Sequence, residues 1–233
     1  MAVGAGRKLV LLRHAKSAWP DVPDHERPLA RRGERDAPVM GRWLRAAGHV
    51  PDQVLCSTAR RARETWQLAQ HGLGATPPVS FEEGVYQGSA VQLLDLIRRA
   101  SPAVRTLLLV GHDPAMQELA LTLAATTPTP YLGDVPPTDT LDRLRAKFPT
   151  AAIAVFEVPG NWDQLVPGSA RLTRFVTPRE LAAPAEPDGD ATSLRSGRSP
   201  SPAPDLVVIR VPGSGGRPVP GGGQRPTAPG RVC

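Results

Sequence analysis

The chain has 233 residues, of which 40% are hydrophobic, and a formal net charge of +6. This length is enough for one well-buried core with some chain left over, which predicts a single folded domain. No apolar run approaches the ~20 residues of a membrane span and no targeting segment is apparent, so we expect no membrane association and a cytoplasmic location. The only cysteines are Cys56, in a predicted strand, and Cys233, at the terminus, which argues against a structural disulfide.

Apolar runs of strand length alternate with segments whose apolar residues recur at helical spacing. In chain order, the predicted elements are a strand over 8–13, a helix over about 31–47, a strand over 53–56, a helix ending near residue 70, a helix from residue 90, a strand over 106–110, a helix from residue 114, a short helix near 141–148, and strands over 151–158 and 170–176. Gly48 can close the first helix, and Pro38 marks either its late start or a kink. Ser89 opens a capping box, and Asp113 is predicted to cap a helix whose first residue is Pro114. The alternation predicts an α/β fold with a mostly parallel sheet and helices on both faces.

The last 51 residues differ in composition from the rest of the chain. Residues 183–233 are rich in Pro and Gly and have no aromatic residue, so they cannot bury enough apolar surface to offset the entropy of ordering. Their one apolar run, 206–211, is predicted to be a transient strand or a partner-docking motif. We therefore expect a folded domain over 8–182 between a flexible N-terminus at 1–7 and a disordered tail.

Cationic or imidazole side chains stand where three of the predicted strands end. Arg13 and His14 follow the first strand, Arg60 and Arg61 lie shortly after the second, and His112 follows the strand over 106–110. The carboxyl ends of parallel strands meet at one edge of an open α/β sheet, where such sheets bind ligands. We therefore expect these side chains, with one of the two adjacent arginines, to converge on one pocket. The motifs include no carboxylate cluster suited to a metal, and no metal or cofactor is expected.

A pocket of this kind suits a phosphoryl group. A transferring phosphoryl group spreads negative charge over its oxygens, so its reactions depend mainly on positioning and on cationic stabilisation. A neutral imidazole can attack phosphorus, whereas a protonated one can only donate hydrogen bonds to phosphate. His14 is the better candidate nucleophile, because backbone carbonyls at the turn after a central strand can fix its tautomer. His112 is then predicted to be a phosphate ligand.

The order of these motifs resembles that of the histidine phosphatase superfamily. The resemblance rests on Arg13-His14-Ala15, on the segment Ser57–Thr65 and on Gly111-His112. It implies a phosphoglycerate mutase-like fold, a three-layer α/β sandwich, and it assigns phosphate binding to Arg61. In the mechanism that it implies, His14 takes the phosphoryl group and water later hydrolyses the phosphohistidine enzyme. Arg13, Arg61 and His112 hold the phosphoryl group throughout.

Within the superfamily, the chain is most similar to the small SixA-type phosphohistidine phosphatases. Three segments support the narrower resemblance, namely Asp24–Leu29 with Arg32-Gly33, Lys147–Thr150 and Pro178–Leu181. The resemblance implies hydrolysis of protein-borne phosphohistidine. The expected partner is a phosphohistidine-bearing protein or a small phosphate ester.

Two further site residues and a pH dependence follow from the resemblance. Ser17 stands where relatives often have a hydroxyl that hydrogen-bonds phosphate, and Glu83 aligns with the carboxylate that protonates the leaving oxygen in larger relatives. For both residues, an ordinary loop position is the alternative. Because His14 must be unprotonated to attack, we expect activity to fall on the acid side of neutrality.

Other functions stay open at this stage. The chain could be a broad small-molecule phosphatase or a phosphoglycerate mutase of the same superfamily, although Pro20 stands where mutases usually have asparagine. A non-catalytic protein that binds phosphorylated ligands is a third possibility, and the complete set of motif residues argues against it. The net charge would also suit nucleic acid, but the chain has no nucleic-acid motif, so we expect no such partner. The sequence does not specify an oligomeric state.

Overall fold

Six strands form one sheet in the computed structural model, which describes residues 6–124 and 138–182. In chain order they are β1 (Arg7–Arg13), β2 (Gln53–Ser57), β3 (Val79–Glu82), β4 (Thr106–Gly111), β5 (Ile153–Val158) and β6 (Arg171–Val176). Across the sheet their order is β3-β2-β4-β1-β5-β6. β3, β2, β4 and β1 are parallel to one another, whereas β5 runs antiparallel to β1 and β6 runs antiparallel to β5. The predicted tail at 183–233, with its apolar run at 206–211, lies outside the described residues.

Helices cover both faces of the sheet. Those in the described residues are α1 (Arg31–Ala46), α2 (Arg60–Leu73), α3 (Glu83–Gln87), α4 (Ala90–Arg98), α5 (Ala115–Leu123), α6 (Thr138–Ala146) and α7 (Pro178–Ala182). Two 3-10 turns, Asp24–Glu26 and Trp162–Gln164, lie in connecting segments. α1, α2 and α7 pack on one face, and α3, α4, α5 and α6 pack on the other. The predicted three-layer α/β fold with a mostly parallel sheet is confirmed.

The central strands are buried on both faces, which is why the sequence shows them as unbroken apolar runs. In β1, Leu9 and Leu11 belong to the core beneath α4 and α5, whereas Val10 and Leu12 belong to the core beneath α1 and α2. All four side chains are fully buried. β1 is therefore held rigidly between two layers of helix, and the residues that follow it leave the sheet from a fixed position.

Most element boundaries agree with the sequence-based expectations. β1 begins one residue earlier than expected, at Arg7, whose guanidinium donates to the carbonyls of Pro102 and Gly160. α1 continues through Pro38, which excludes a late start, and Gly48 has the positive φ of 67° expected of a residue that ends a helix.

Two predictions about local structure had different outcomes, and two elements were not predicted. The capping box at Ser89 is present, because its hydroxyl accepts from the backbone N–H of Gln92. The predicted cap at Asp113 was wrong, since α5 begins at Ala115 with Pro114 as its N-cap residue. β3 and α3 were not expected, because β3 is only four residues long and only partly buried, so it lacks the apolar run of a central strand.

α1 and α2 approach each other closely at two glycines. A methyl group added to Gly41 would overlap the backbone carbonyl of Ala69, and one added to Gly72 would overlap the carbonyl of Pro38. Only residues without a side chain allow the two backbones to pack at this distance. The contact sets the position of α2, whose first turn points towards the carboxyl edge of the sheet.

Candidate active site

Two histidines meet at the carboxyl edge of the sheet. His14 directly follows β1, and His112 directly follows the neighbouring parallel strand β4. The backbone N–H of His14 donates to the carbonyl of Gly111 at 2.9 Å, and the centroids of the two imidazole rings are 4.9 Å apart. Both residues are 8% exposed. The structure thus brings the two strand ends together as the parallel arrangement predicts.

A backbone carbonyl orients the ring of His14. Nδ1 lies 2.8 Å from the carbonyl oxygen of Ala15, and because this oxygen can only accept, Nδ1 must bear the proton. Nε2 therefore keeps its lone pair. Burial lowers the pKa of His14 to about 3, the hydrogen bond to Ala15 opposes this shift, and the nearby charges of Arg61 and Arg13 reinforce it. His14 is neutral and its Nε2 is nucleophilic at any physiological pH.

Arg13, the last residue of β1, is held in place by two polar contacts. Its Nη1 lies 2.7 Å from Oδ2 of Asp113 and 2.5 Å from the carbonyl oxygen of Phe148. This ion pair uses Oδ2 of the carboxylate that the sequence suggested as a helix cap, while Oδ1 is buried without a hydrogen-bond partner among the described residues. Nε of Arg13 is buried and lacks a hydrogen-bond partner among the described residues. The guanidinium therefore retains a donor for an incoming anion.

Of the two adjacent arginines in α2, only Arg61 points into the site. Its Nη1 donates to the carbonyl of Asp24 at 2.7 Å and its Nη2 to Oδ2 of the same residue at 3.0 Å, and it is 7% exposed. Arg60 instead pairs with Glu64 at 2.7 Å, and its side chain is about half exposed. The residue pattern left open which of the two arginines would face the pocket. The direction in which each side chain leaves α2 decides this.

Two residues of α2 connect this helix to the loops around His14. The hydroxyl of Thr65 donates to the carbonyl of Arg61 at 2.6 Å and accepts the N–H of Ala15 at 3.0 Å. The carboxylate of Glu64 accepts the N–H of Leu29 at 2.7 Å. The first turns of α2 therefore hold the loop after His14 and the loop before α1 in a fixed relation.

Ser57, the last residue of β2, holds the second histidine. Its Oγ lies 2.7 Å from Nε2 of His112 and accepts the N–H of Ala59 at 3.2 Å. Nδ1 of His112 is buried without a partner among the residues described. Burial lowers the pKa of His112 to about 2, and the proximity of His14 and Arg61 contributes to the shift. His112 is therefore neutral, and it can donate to a ligand only if its one proton resides on Nδ1.

Arg27 is a site residue that sequence reasoning missed. It is 7% exposed, and its charge is one of those that lower the pKa of His14. Its guanidinium donates to Oδ1 of Asp24 at 2.9 Å and to the carbonyl of Ala18 at 3.1 Å, and it lies 3.2 Å from the ring centroid of Trp19. Arg27 belongs to the Asp24–Leu29 segment, which supported the SixA resemblance. The resemblance did not assign a role to any single residue of that segment.

The structure places Ser17 against Arg27. Oγ of Ser17 accepts from Nη2 of Arg27 at 2.7 Å, and Ser17 is 6% exposed. The residue that was expected to hydrogen-bond phosphate directly thus contacts a guanidinium group of the site. We interpret Ser17 as a residue that orients Arg27.

Asp24 and Tyr86 close the rim of the site. The carboxylate of Asp24 accepts from Arg27, from Arg61 and, at 2.9 Å, from the hydroxyl of Tyr86. Burial acts to raise the pKa of Asp24, but the hydrogen bonds from Arg27 and Tyr86, together with the hydrogen bond and charge of Arg61, lower it to about 2. The ring of Tyr86 stands edge-on to His112 at a centroid distance of 5.6 Å. Tyr86 lies in the unpredicted helix α3, and its sequence position had no signal for a place in the site.

Glu83 is the first residue of α3 and lies at the rim. Its Oε2 is 2.5 Å from Oγ1 of Thr58, the residue that follows Ser57. The carboxylate of Glu83 therefore lies on the side of the site formed by β2 and α3, and it accepts a hydrogen bond from the hydroxyl of Thr58.

Neither a metal cluster nor a membrane span is found in the part of the chain that the structure describes. Within residues 6–124 and 138–182, no group of three or more His, Cys, Asp or Glu side chains is placed to hold a metal ion. No helix there is both long and apolar enough to cross a bilayer.

Comparison with known proteins places this geometry in a family. The sequence profile described as the histidine phosphatase superfamily, branch 1, matches residues 9–86, which include His14, Arg27 and Arg61. A solved structure from Nakamurella multipartitia, assigned as the phosphohistidine phosphatase SixA, is 32% identical, and the match covers 74% of this chain and 96% of that one with a TM-score of 0.63. The chain belongs to the histidine phosphatase superfamily. It is a hydrolase that acts on phosphorus bonds.

Other relatives of this histidine phosphatase agree with the assignment. A SixA structure from Agrobacterium tumefaciens, with the same assigned activity, is 27% identical over 74% of this chain and 98% of that one, with a TM-score of 0.58. An uncharacterized protein of Mycobacterium tuberculosis (strain ATCC 25618 / H37Rv) is 44% identical over 169 residues, which are 72% of this chain and 100% of that protein. The similarity thus extends over nearly the whole length of each of these relatives.

Proposed function

We propose that this phosphatase hydrolyses protein-borne phosphohistidine through a covalent phosphohistidine intermediate on His14. The observation that supports this most directly is the hydrogen bond from Nδ1 of His14 to the carbonyl of Ala15. It leaves Nε2 unprotonated beside the guanidinium groups of Arg13, Arg27 and Arg61. An unprotonated nitrogen among cations is what nucleophilic attack on a phosphoryl group needs.

In the first step, Nε2 of His14 attacks phosphorus and the bond to the leaving group breaks. The guanidinium groups of Arg13, Arg27 and Arg61 bind the phosphoryl oxygens, where negative charge is spread in the transition state. His112 donates to a phosphoryl oxygen from Nδ1. Because burial keeps both histidines neutral, the arginines supply the positive charge of the pocket.

In the second step, water attacks the phosphohistidine of the enzyme and releases inorganic phosphate. The same cationic groups hold the phosphoryl group through both steps, so one pocket serves two transfers. The hydrogen bond to Ala15 persists, because Nδ1 keeps its proton while Nε2 bears the phosphoryl group. His14 returns to its starting tautomer without a rearrangement of the ring.

The substrate class is proposed from the relatives and from leaving-group chemistry. Solved relatives at 32% and 27% identity are assigned as phosphohistidine phosphatases. When phosphohistidine is the substrate, its other ring nitrogen can be protonated before the phosphorus–nitrogen bond breaks, so the enzyme need not supply that proton. The proposed partner is therefore a protein that bears phosphohistidine.

A non-catalytic phosphate-binding protein is the alternative from a different class. Such a protein would need the arginines but not a nucleophile, and a protonated histidine would bind phosphate better than a neutral one. The buried, neutral and oriented ring of His14 therefore favours catalysis over binding alone.

The test is phosphate release by the purified full chain from a histidine-phosphorylated protein, with 4-nitrophenyl phosphate and 3-phosphoglycerate as comparison substrates. His14→Ala should abolish turnover on all three, and the wild type should form an acid-labile, alkali-stable phosphoenzyme that the variant does not form. His71→Gln, at an exposed position of α2, is the matched control and should behave as wild type. A His14→Ala protein that still forms an acid-labile phosphoenzyme would overturn the assignment of His14. A preference for a small ester over phosphohistidine would replace the substrate, and complete inactivity would favour the binding protein.

A further inference from the structure

A line of hydrogen-bonding side chains runs along the rim of the site from His25 through Thr58 to Glu83. Nε2 of His25 lies 3.0 Å from Oγ1 of Thr58, which in turn lies 2.5 Å from Oε2 of Glu83. The three residues come from three separate segments: the 3-10 turn Asp24–Glu26, the end of β2 and the start of α3. None of the steps described above uses His25 or Thr58.

The hydroxyl in the middle of this line permits two arrangements of protons. In the first, Nε2–H of His25 donates to Thr58, and the hydroxyl proton of Thr58 is donated to the carboxylate of Glu83. In the second, a protonated Glu83 donates to Thr58, whose hydroxyl proton is donated to Nε2 of His25. The arrangements differ by one proton moved at each link, so their interconversion transfers a proton from His25 to Glu83.

The other nitrogen of His25 is held by an acidic neighbour. Nδ1 lies 2.9 Å from Oε1 of Glu26, and since a carboxylate only accepts, Nδ1 keeps its proton in both arrangements. His25 is thus an imidazolium in the first arrangement and neutral in the second. The hydrogen bond from His25 lowers the pKa of Glu26, and the charges of Arg63 and Arg60 on α2 add to this shift. From α3, Tyr86 presents its ring edge-on to His25 at a centroid distance of 4.8 Å.

The line borders the residues that would bind the phosphoryl group. Thr58 directly follows Ser57, whose hydroxyl lies 2.7 Å from His112. Tyr86, on the same short helix as Glu83, packs between the two imidazoles, with centroid distances of 4.8 Å to His25 and 5.6 Å to His112. Both ends of the line therefore border Tyr86, and His25 is the end with its own acidic partner.

We propose that His25 and Thr58 form a proton relay to Glu83, the carboxylate to which the family resemblance gives the protonation of the leaving oxygen, and that this relay serves alkyl phosphate monoesters. The proposal rests on the phosphatase function and on the nucleophile proposed above. In the first step the N–P bond to His14 forms as the ester P–O bond breaks, and the leaving oxygen takes a proton from Glu83. In the second step Glu83 takes a proton from the attacking water, and this proton returns through Thr58 to His25.

The class of substrate follows from what the relay supplies. An alkoxide is a poor leaving group and must be protonated as it departs, whereas a stabilised phenolate or a protonated imidazole departs without this help. The hydrogen-bonded line joins Glu83 to the ring N–H of His25, which is a second source of a proton at the rim.

The test compares His25→Gln, Thr58→Val and Thr58→Ser in the full chain on glycerol 2-phosphate, 4-nitrophenyl phosphate and a histidine-phosphorylated protein. His25→Gln and Thr58→Val should lower kcat/KM on glycerol 2-phosphate by about 10²-fold, and on the other two substrates by less than about 3-fold. Thr58→Ser restores the hydroxyl and should remain within about 3-fold of wild type on all three. The control His71→Gln should remain within about 3-fold of wild type on all three substrates.

Several outcomes would overturn the relay. These are equal losses on alkyl and aryl esters, Thr58→Ser as impaired as Thr58→Val, or a wild type that cleaves phosphohistidine but not glycerol 2-phosphate. Each leaves the proposed phosphatase function intact, because activity on the histidine-phosphorylated protein is measured in parallel. A wild type without activity on any of the three substrates would overturn that function and the relay with it.

Discussion

The hydroxyl of Ser57 lies 2.7 Å from Nε2 of His112 and also accepts the backbone N–H of Ala59. The hydroxyl accepts from Ala59 through one lone pair, and we infer that it donates its single proton to Nε2 of His112. The proton of the neutral imidazole then resides on Nδ1, the atom that has no partner among the described residues. Ser57 thus selects the tautomer in which His112 can donate to a phosphoryl oxygen.

Ser57→Ala should therefore impair turnover more than substrate binding. Loss of one donor to the transferring phosphoryl group is expected to lower kcat by about 10²-fold. The unpaired Nε2 of His112 should also cost about 1–3 kcal/mol of unfolding free energy. Steady-state kinetics and urea denaturation measure the two effects, with Ser80→Ala in β3 as the control. A kcat equal to that of wild type would show that Ser57 does not set the tautomer.

Arg27 should not tolerate replacement by lysine. Its guanidinium reaches Ser17, Asp24 and Ala18 at once, and a lysine ammonium cannot reproduce this planar set of donors. We expect Arg27→Lys to lower kcat/KM by about 10²–10³-fold. Arg60→Lys, at an exposed residue paired with Glu64, is the control and should remain close to wild type. If both lysine variants had the same small effect, Arg27 would not bind the phosphoryl group.

The nucleophile should stay unprotonated far below neutrality. Burial lowers the pKa of His14 to about 3, so the reactive form predominates above that pH and is lost only as the pH falls through it. From the sequence we expected activity to fall on the acid side of neutrality. With this lowered pKa, we predict instead that the nucleophile is fully available between pH 5 and 8. A decline in kcat/KM near pH 6 would then reflect the second ionisation of the substrate phosphate, near 6.

A ¹H–¹⁵N NMR titration of the histidine rings separates the two causes. In the resting protein the ring of His14 should keep its neutral-form shifts from pH 8 down to about 4.5. Protonation of His14 between pH 5.5 and 7.5 would contradict the prediction.

Acid should weaken the fold through the two buried histidines. The pKa values of His14 and His112 are lowered to about 3 and about 2, whereas histidines in the unfolded chain ionise near 6.5. The unfolded state therefore binds more protons below pH 6.5. The stabilisation is complete above that pH and is lost as the pH falls towards 3, by up to about 1.4 kcal/mol per pH unit for each histidine.

Urea denaturation at pH 7.5, 6.5, 5.5 and 4.5 measures this loss. His112→Gln removes one of these two buried imidazoles and should reduce the slope of unfolding free energy against pH. A stability that is constant between pH 7.5 and 4.5 would mean that neither histidine is buried in its neutral form.

The contact between α1 and α2 should be sensitive to a single methyl group. Gly41→Ala forces the backbones apart at the carbonyl of Ala69 and should cost about 2–3 kcal/mol of unfolding free energy. Gly84→Ala, in α3, is the matched control, because a methyl group there meets no atom within 4 Å. Thermal or urea unfolding of the two variants measures the difference. Equal stability of the two variants would show that α1 can shift without cost.

The sequence alone determined the features of this protein that depend on local order. The central strands β1 and β4 are buried on both faces, so they appear as continuous apolar runs, and His14 and His112 could be located because each directly follows such a run. The same periodicity predicted α1, and the capping pattern predicted the start of α4 at Ser89. The three-layer α/β fold followed from their alternation.

Only the tertiary structure decided which other side chains reach the site. Arg60 and Arg61 are neighbours of the same type, and the packing of α2 against α1 determines that Arg61 faces the pocket while Arg60 pairs with Glu64. Arg27 and Tyr86 lie far from His14 in sequence and in segments without regular apolar patterning. Their place in the site depends on hydrogen bonds to Asp24. Such contacts join residues through space, and the pattern of residues along the chain does not encode which of them will meet.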